Sequence, residues 1–256
     1  MKKILLVAAI TFSGTVHADN GFYTSLKSGT SHNKFSNIEH NLKPSGDIGS
    51  YFSYENGTEK TSYPTIAAAI GFDFSKISKV NARAELEYTY RDKINFQSTE
   101  YNYLYLSPNG SLIDQNPNSG YPSILPNEIQ IQSLMLNSFY DFKNSSKFTP
   151  YVGVGVGVSH IKNKQYPNTE RSFGFLDNIQ IEDTTNNFMW SASLGVAYNV
   201  TDNVALDLGY RYVDAGKAKF TNSFDNIYYG TPEVIDTKTE VKIVSQDYTL
   251  GIRYNF

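Results

Sequence analysis

Residues 80–91, Val-Asn-Ala-Arg-Ala-Glu-Leu-Glu-Tyr-Thr-Tyr-Arg, alternate strictly between apolar or small residues and polar ones from Ala82 onward. Successive side chains of a β-strand point to opposite faces, so this segment has one apolar and one charged face. The charged face carries Arg83, Glu85, Glu87 and Arg91. A strand of a soluble sandwich shows the same alternation, so the segment predicts a strand without choosing its environment.

The same alternation returns in seven other segments, and helix-like periodicity is missing, which together predict an all-β chain of eight strands. One face of each segment is apolar and often aromatic near its ends, whereas the other carries mainly Gly, Ser, Ala and Asn. Small residues suit an enclosed interior, and aromatic ends resemble the aromatic girdles of a membrane barrel. The eight segments are 21–28, 66–74, 80–91, 133–142, 152–159, 190–199, 206–213 and 247–256.

The links between these segments are sorted by length. Short links follow the second, fourth and sixth segments, at 75–79, 143–147 and 201–203. Long links follow the first, third, fifth and seventh, at 29–63, 92–128, 162–187 and 214–245. The sorting predicts a transmembrane antiparallel up-and-down β-barrel with four long extracellular loops and three short periplasmic turns. The alternative is a secreted or periplasmic sandwich, which has no reason to sort its loops.

Residues 1–18 have the parts of a secretory signal peptide. Lys2 and Lys3 precede a short apolar run at 4–10, and Val16-His17-Ala18 fits a cleavage site. The alternative is a buried N-terminal helix or a membrane anchor. We therefore expect residues 19–256 to form a barrel domain in the bacterial outer membrane, in contact with its lipid. The final residue, Phe256, is in phase with the apolar face of its strand and resembles the terminal aromatic signature that the barrel assembly machinery reads, which implies that it is an assembly signal.

Composition excludes several functional classes. The 256 residues include no Cys, so disulfides, thiolate nucleophiles and zinc-thiolate sites are excluded. A net charge of −3 gives no electrostatic footprint for nucleic acid. His32 and His40 fall in the first long link, and Ser159 and His160 are adjacent, so they point to opposite faces of a strand. We expect no catalytic site, no metal and no cofactor.

The predicted lumen contains charges of both signs. An eight-stranded barrel is just wide enough for its own side chains to fill it. We expect Arg83, Glu85, Glu87, Arg211 and Arg253 to form an internal ion-pair network, because neighbouring carboxylates in a low-dielectric interior need cationic partners. Such a network is either the charged constriction of a narrow pore or a packed polar core without flux.

The long links contain aromatic residues that could contact a partner. Tyr and Phe give a large contact area at low entropic cost, so exposed ones suit recognition. Equally, these rings could pack against one another and extend the barrel wall. The candidate contact residues are Tyr101, Tyr103, Tyr105, Phe173, Phe175, Tyr228 and Tyr229.

Two parts of the chain resemble small outer-membrane proteins of the opacity class. They are the hairpin of residues 134–142 and 148–157, and the terminal Gly-Ile-Arg-Tyr-Asn-Phe at 251–256. The resemblance implies an integral outer-membrane barrel, often called a porin, whose loops bind host cell-surface receptors. It carries over no binding residue, because the loops are unmatched. The leading hypothesis is an adhesin or interaction protein. The alternatives are a passive channel for small solutes and a structural barrel without a ligand.

Overall fold

The computed structural model describes residues 21–44, 52–53, 59–102, 121–165, 181–228 and 231–256, and nearly all of them lie in strands. Within these ranges, side chains are described for 21–36, 60–95, 128–164, 182–219 and 240–256. The strands are β1 Phe22–Pro44, β2 Phe52–Ser53, β3 Glu59–Asp73, β4 Ala82–Asn102, β5 Tyr121–Asp141, β6 Phe148–Gln165, β7 Ile181–Asn199, β8 Val204–Tyr228 and β9 Thr231–Asn255.

Eight of these strands close into an antiparallel barrel, which confirms the predicted fold. The order around the sheet is β4-β3-β1-β9-β8-β7-β6-β5, and pairing of β4 with β5 closes the ring. The remaining strand, β2, has two residues and pairs with the end of β4 at Tyr101 and Asn102. No helix in the described part of the chain is long and apolar enough to cross a membrane.

The predicted phase of the strands is correct. Leu194 on β7 and Leu250 on β9 point outward and are 56% and 61% exposed, whereas the inward Ala197 is 1% exposed. Large apolar side chains exposed in this way are stable only against hydrocarbon, so this band faces lipid. Other members of the band are Leu26, Ile70, Leu86, Leu134, Leu136, Val152, Val154, Val156, Leu208 and Ile252.

Aromatic rings border the apolar band at both ends. The lower belt lies beside the short turns and includes Phe22 against Phe72, with ring centroids 5.0 Å apart. The upper belt includes Tyr210 against Tyr248, at 5.2 Å. Amphipathic rings favour the boundary between hydrocarbon and headgroups, so the belts mark the two faces of the membrane. Further ring pairs are Phe72–Phe74, Tyr140–Phe142, Phe148–Tyr198 and Tyr254–Phe256 below, and Trp190–Tyr212 above.

The lower end has the three predicted short turns, with one difference. Phe74 was expected at the end of the second strand but begins a 3-10 turn, Phe74–Lys76. The Asp73 side chain ends the strand there by accepting a hydrogen bond from the Ser75 backbone N–H at 2.9 Å. At the other end of the chain, the Phe256 backbone N–H donates to the Phe22 carbonyl at 3.0 Å.

The strands continue far into the segments that were expected to be long loops, so the predicted loop bounds are wrong. β1 runs to Pro44, which places His32 and His40 in that strand, and β9 begins at Thr231. The reason is an inversion of polarity along the strands. On β5, Leu134 faces outward below, but higher up Gln132 faces outward and Ile131 is buried inside. Above the membrane the outer wall meets water, so the apolar side must turn inward.

The extension above the membrane is divided into two half-sheets. Pairing between β3 and β4 ends at Thr65–Arg91, and pairing between β7 and β8 ends at Trp190–Asp214, although all four strands continue upward. The first half-sheet therefore contains the upper parts of β3, β1, β9 and β8, and the second those of β4, β5, β6 and β7. β-Bulges interrupt the register near both division points, between Arg91 and Ile94 and between Asp214 and Lys217.

An apolar layer lies between the half-sheets. The first half-sheet contributes Phe35 and Ile243, and the second contributes Ile129 and Ile161, all buried. Above the end of the β7–β8 pairing, a side chain of β7 connects the two strands in place of backbone hydrogen bonds. The Asn187 side-chain amide of β7 donates to the Lys217 carbonyl of β8 at 2.7 Å. The full layer is Phe35, Tyr63, Ile94, Ile129, Ile131, Ile161, Ala215, Ala218, Val241 and Ile243.

Candidate functional site

Charged side chains meet inside the barrel at mid-height. Lys27 points inward from β1 and donates to Glu85 at 2.5 Å and to Glu87 at 2.6 Å. Both carboxylates come from β4 and are almost fully buried. Two neighbouring carboxylates would repel each other in this environment, and the single ammonium group between them offsets that repulsion.

Arg211 connects this group to the opposite wall. Its guanidinium forms ion pairs with Glu87 and, at 3.1 Å, with Asp247. Asp247 also accepts from Arg91 at 2.8 Å and from the Ser31 hydroxyl at 2.6 Å. Each of these carboxylates has at least two donors, which is the condition under which a buried charge is tolerated.

A second level of ion pairs lies nearer the short turns. Arg83 donates twice to Asp141, at 2.7 and 2.9 Å, and its guanidinium lies 4.9 Å from the centre of the Phe139 ring. Arg253 faces Asp207 at 3.7 Å. The planar guanidinium of Arg83 forms two parallel hydrogen bonds with the carboxylate, and its contact with aromatic rings compensates part of the hydration that the guanidinium loses on burial.

All five residues predicted for the lumen lie inside it, but not all with the expected partners. Arg83 and Arg253 pair with carboxylates of adjacent strands instead of with Glu85 and Glu87. Five further members of the network were not predicted to belong to it, although every one occupies an inward position of an alternating strand. They are Lys27, Arg91, Asp141, Asp207 and Asp247.

Small residues on the facing strands make room for these groups. A Cβ on Gly195 would lie 2.4 Å from the Tyr151 ring and 2.5 Å from the Leu208 carbonyl. A Cβ on Gly153 would lie equally close to the Phe139 ring, at 2.4 Å. Glycine is therefore required where large side chains of other strands cross the lumen.

Two layers fill the lumen one above the other. The ion-pair network borders a cavity of about 30 Å³, lined in part by Lys27, Glu87 and Arg211, which holds no more than a few water molecules. The apolar layer between the half-sheets lies above the network. No cluster of three potential metal-ligating side chains occurs among residues with described positions. This arrangement is suited to stabilising the barrel.

The candidate contact residues lie at the outer ends of the extension or beyond the described chain. Tyr101 lies near the end of β4, where it pairs with Ser53 of β2, and Tyr228 is the last residue of β8. Their side chains are outside the described set. Tyr103, Tyr105, Phe173, Phe175 and Tyr229 lie outside the described residues, so their role in recognition stays a prediction.

The sequence is similar to those of known surface and outer-membrane proteins. A family model described as "Surface antigen" matches residues 50–256. The outer membrane protein PagN of Salmonella typhimurium is 28% identical over 252 residues, which cover 98% of this chain and 97% of PagN. The opacity protein opA67 of Neisseria gonorrhoeae is 28% identical over 144 residues, 48% of this chain and 53% of opA67. These similarities confirm the resemblance that the membrane strands indicated.

The solved structures include a barrel of the same fold. The outer membrane protein OprG from Pseudomonas aeruginosa matches with a TM-score of 0.50 and 11% identity, over 93% of this chain and 98% of that one. At this identity the match concerns the fold alone.

Proposed function

The chain belongs to the surface antigen family and lies in the bacterial outer membrane, and we propose that it is a surface-exposed adhesin that binds a receptor on host cells. The proposal also includes contact of the barrel with the lipid of the outer membrane. It further includes assembly by the barrel assembly machinery, with Phe256 as the signal. Catalysis has no part in it.

The observation that carries the proposal is the polarity inversion along the strands. Above the upper aromatic belt, the outer wall becomes polar and the interior becomes apolar, as at Gln132 and Ile131. The barrel thus continues as a water-exposed platform that raises the connections between strands away from the lipid. A protein selected only for anchoring in the envelope gains nothing from such a platform.

The filled lumen argues against the alternative of a passive channel. The cross-section at mid-height is occupied by Lys27, Glu87 and Arg211, and the apolar layer lies above it. Ions crossing such a layer would lose their hydration. In planar bilayers we expect no steady open-channel current from the purified protein, and a reproducible selective conductance would favour the channel over the adhesin.

The direct test is adhesion conferred on a non-adherent bacterium. Cells displaying the protein should bind cultured animal cells in greater number than cells without it. Three variants test the candidate contacts, with Ser replacing Tyr101, Tyr103 and Tyr105 together, Phe173 and Phe175 together, or Tyr228 and Tyr229 together. Asp202→Ser, in a periplasmic turn, is the matched control.

We expect at least one of the three variants to lower adhesion while the control does not, at equal surface levels. Protease added to intact cells should cut within 103–120 and 166–180 and spare 142–147, which checks the orientation independently. Equal binding by cells with and without the protein, at verified surface display, would contradict the adhesin proposal.

A further inference from the structure

Two lysines stand side by side on the outer wall of the first half-sheet. Lys34 on β1 and Lys60 on β3 are directly opposed across the antiparallel ladder, and both are exposed. Side chains opposed in this way start from Cβ atoms about 5 Å apart, and like charges in such positions destabilise a sheet. The pair is therefore unfavourable unless an anion lies between the two ammonium groups.

The protein supplies such an anion to other lysines of the extension. Lys93 pairs with Glu128 at 2.5 Å, and Lys242 pairs with Asp214 at 3.2 Å. Among the side chains that the structure describes, no carboxylate forms an ion pair with Lys34 or Lys60. The two positive charges are thus left for a group from outside the chain.

The height of the pair indicates where that group comes from. His32, one outward position below Lys34, packs edge-on against Tyr248 of the upper aromatic belt, with ring centroids 5.5 Å apart. Its Nδ1 also forms a hydrogen bond with the Ser62 hydroxyl at 2.5 Å. Lys34 is only two residues further, roughly 7 Å along a strand, and lysine side chains bend toward a nearby interface. The ammonium groups therefore reach the level of the lipid headgroups.

We propose that Lys34 and Lys60 bind a phosphate group of a phosphorylated glycolipid in the outer leaflet. A phosphate carries up to two negative charges and several acceptor oxygens, so one group accepts hydrogen bonds from both lysines and removes their repulsion. Free phosphate has the same chemistry, but a site directly above the lipid-facing belt meets headgroups at a far higher local concentration. The site anchors the first half-sheet to the membrane surface, separately from any receptor.

The test compares two charge-matched double variants reconstituted in lipid nanodiscs. Lys34→Gln with Lys60→Gln removes the pair, and Lys93→Gln with Lys164→Gln removes two lysines that have carboxylate partners. Each protein is offered lipopolysaccharide with its phosphates or after enzymatic dephosphorylation. Native mass spectrometry after gentle detergent extraction measures the glycolipid retained, and heat-modifiable gel mobility verifies the fold of each variant.

We expect the unmodified protein and the control variant to retain the phosphorylated glycolipid preferentially. The paired-lysine variant should lose at least about tenfold of that retention, since each lysine near an anionic lipid surface contributes a severalfold factor. Equal retention of both glycolipids by the unmodified protein, or equal losses in the two variants, would overturn the proposal. So would displacement of the glycolipid by inorganic phosphate at comparable concentration, because the site would then recognise a soluble anion.

Discussion

Glu87 on β4 and Arg211 on β8 form an ion pair across the full width of the lumen. Their strands are separated by three others in either direction around the ring, so they lie on opposite walls. A shift of either strand by one residue would turn its charge toward the lipid, at a cost of several kcal/mol, roughly. The pair therefore fixes the register of two strands that never touch through their backbones.

Removal of the Glu87 charge should destabilise the barrel. Glu87→Gln leaves Lys27 and Arg211 with one fewer counter-charge in a buried site, and loss of one partner from such a site costs about 3–5 kcal/mol. Urea unfolding in phospholipid vesicles measures the loss. Glu182→Gln, in the exposed pair with Lys164, should cost less than about 1 kcal/mol. Equal stability of both variants would mean that the lumen network does not stabilise the barrel.

A charge on the lipid face should be poorly tolerated at mid-membrane. Leu194 is 56% exposed on the outer wall, so Leu194→Arg should cost about 2–4 kcal/mol or block assembly. Leu194→Val keeps the surface apolar and is the control. Folding yield into vesicles, read by heat-modifiable mobility, distinguishes them. Normal folding of Leu194→Arg would show that this face does not meet hydrocarbon.

Two inward glycines of neighbouring strands should differ in their response to alanine. At Gly195 the added methyl group meets the Leu208 backbone at 2.5 Å, whereas at Gly209 it meets only side-chain atoms, at 3.0 Å or more. Gly195→Ala should lower the free energy of unfolding by about 1–3 kcal/mol, and Gly209→Ala by less, because side chains can move aside. Urea unfolding of the two variants side by side measures the difference, and a larger loss at Gly209 would contradict the proposed packing.

The apolar layer should hold the half-sheets together independently of the membrane part. Ile161 is 1% exposed within it, so Ile161→Asn should open the extension while the lower barrel still inserts. The adjacent Lys162 points outward and is exposed, which makes Lys162→Asn the matched control. Protease on intact cells should cut the Ile161 variant within strands of the extension and leave the control intact. If both variants resist equally, the layer does not keep the extension closed.

Strict alternation was enough to predict the membrane part, because lipid outside and crowding inside impose opposite demands on successive residues. The segment from Ala82 to Arg91 shows this directly. The predicted loop bounds were wrong because an apolar outer face marks only the membrane-spanning part of a strand, and the strands continue above it with a polar outer face. At Gln130 and Ile131 the alternation of polar and apolar residues continues, but the apolar residue now points inward. The alternation itself, whichever face is apolar, therefore predicts that β5 extends upward.

The partners within the lumen were harder to predict than its members. Which charges meet depends on stagger between strands, and the sequence does not state the stagger. Lys27 lies on the strand with the weakest pattern, and Asp247 pairs with residues more than 30 positions away, such as Arg211. Once the register is known, both follow from geometry.

Because the extension consists of two half-sheets, the sequence of one half-sheet can change without a change in the other. Each half-sheet has its own ladder and its own pair of strand connections, and between them lie side-chain contacts, the apolar layer and the short β2 link to β4. Exchange of one half-sheet between related genes would leave the backbone pairing of the other half-sheet undisturbed. The closed barrel in the membrane below would also be unchanged. A surface under pressure to vary could thus be renewed by recombination while the membrane anchor keeps its sequence.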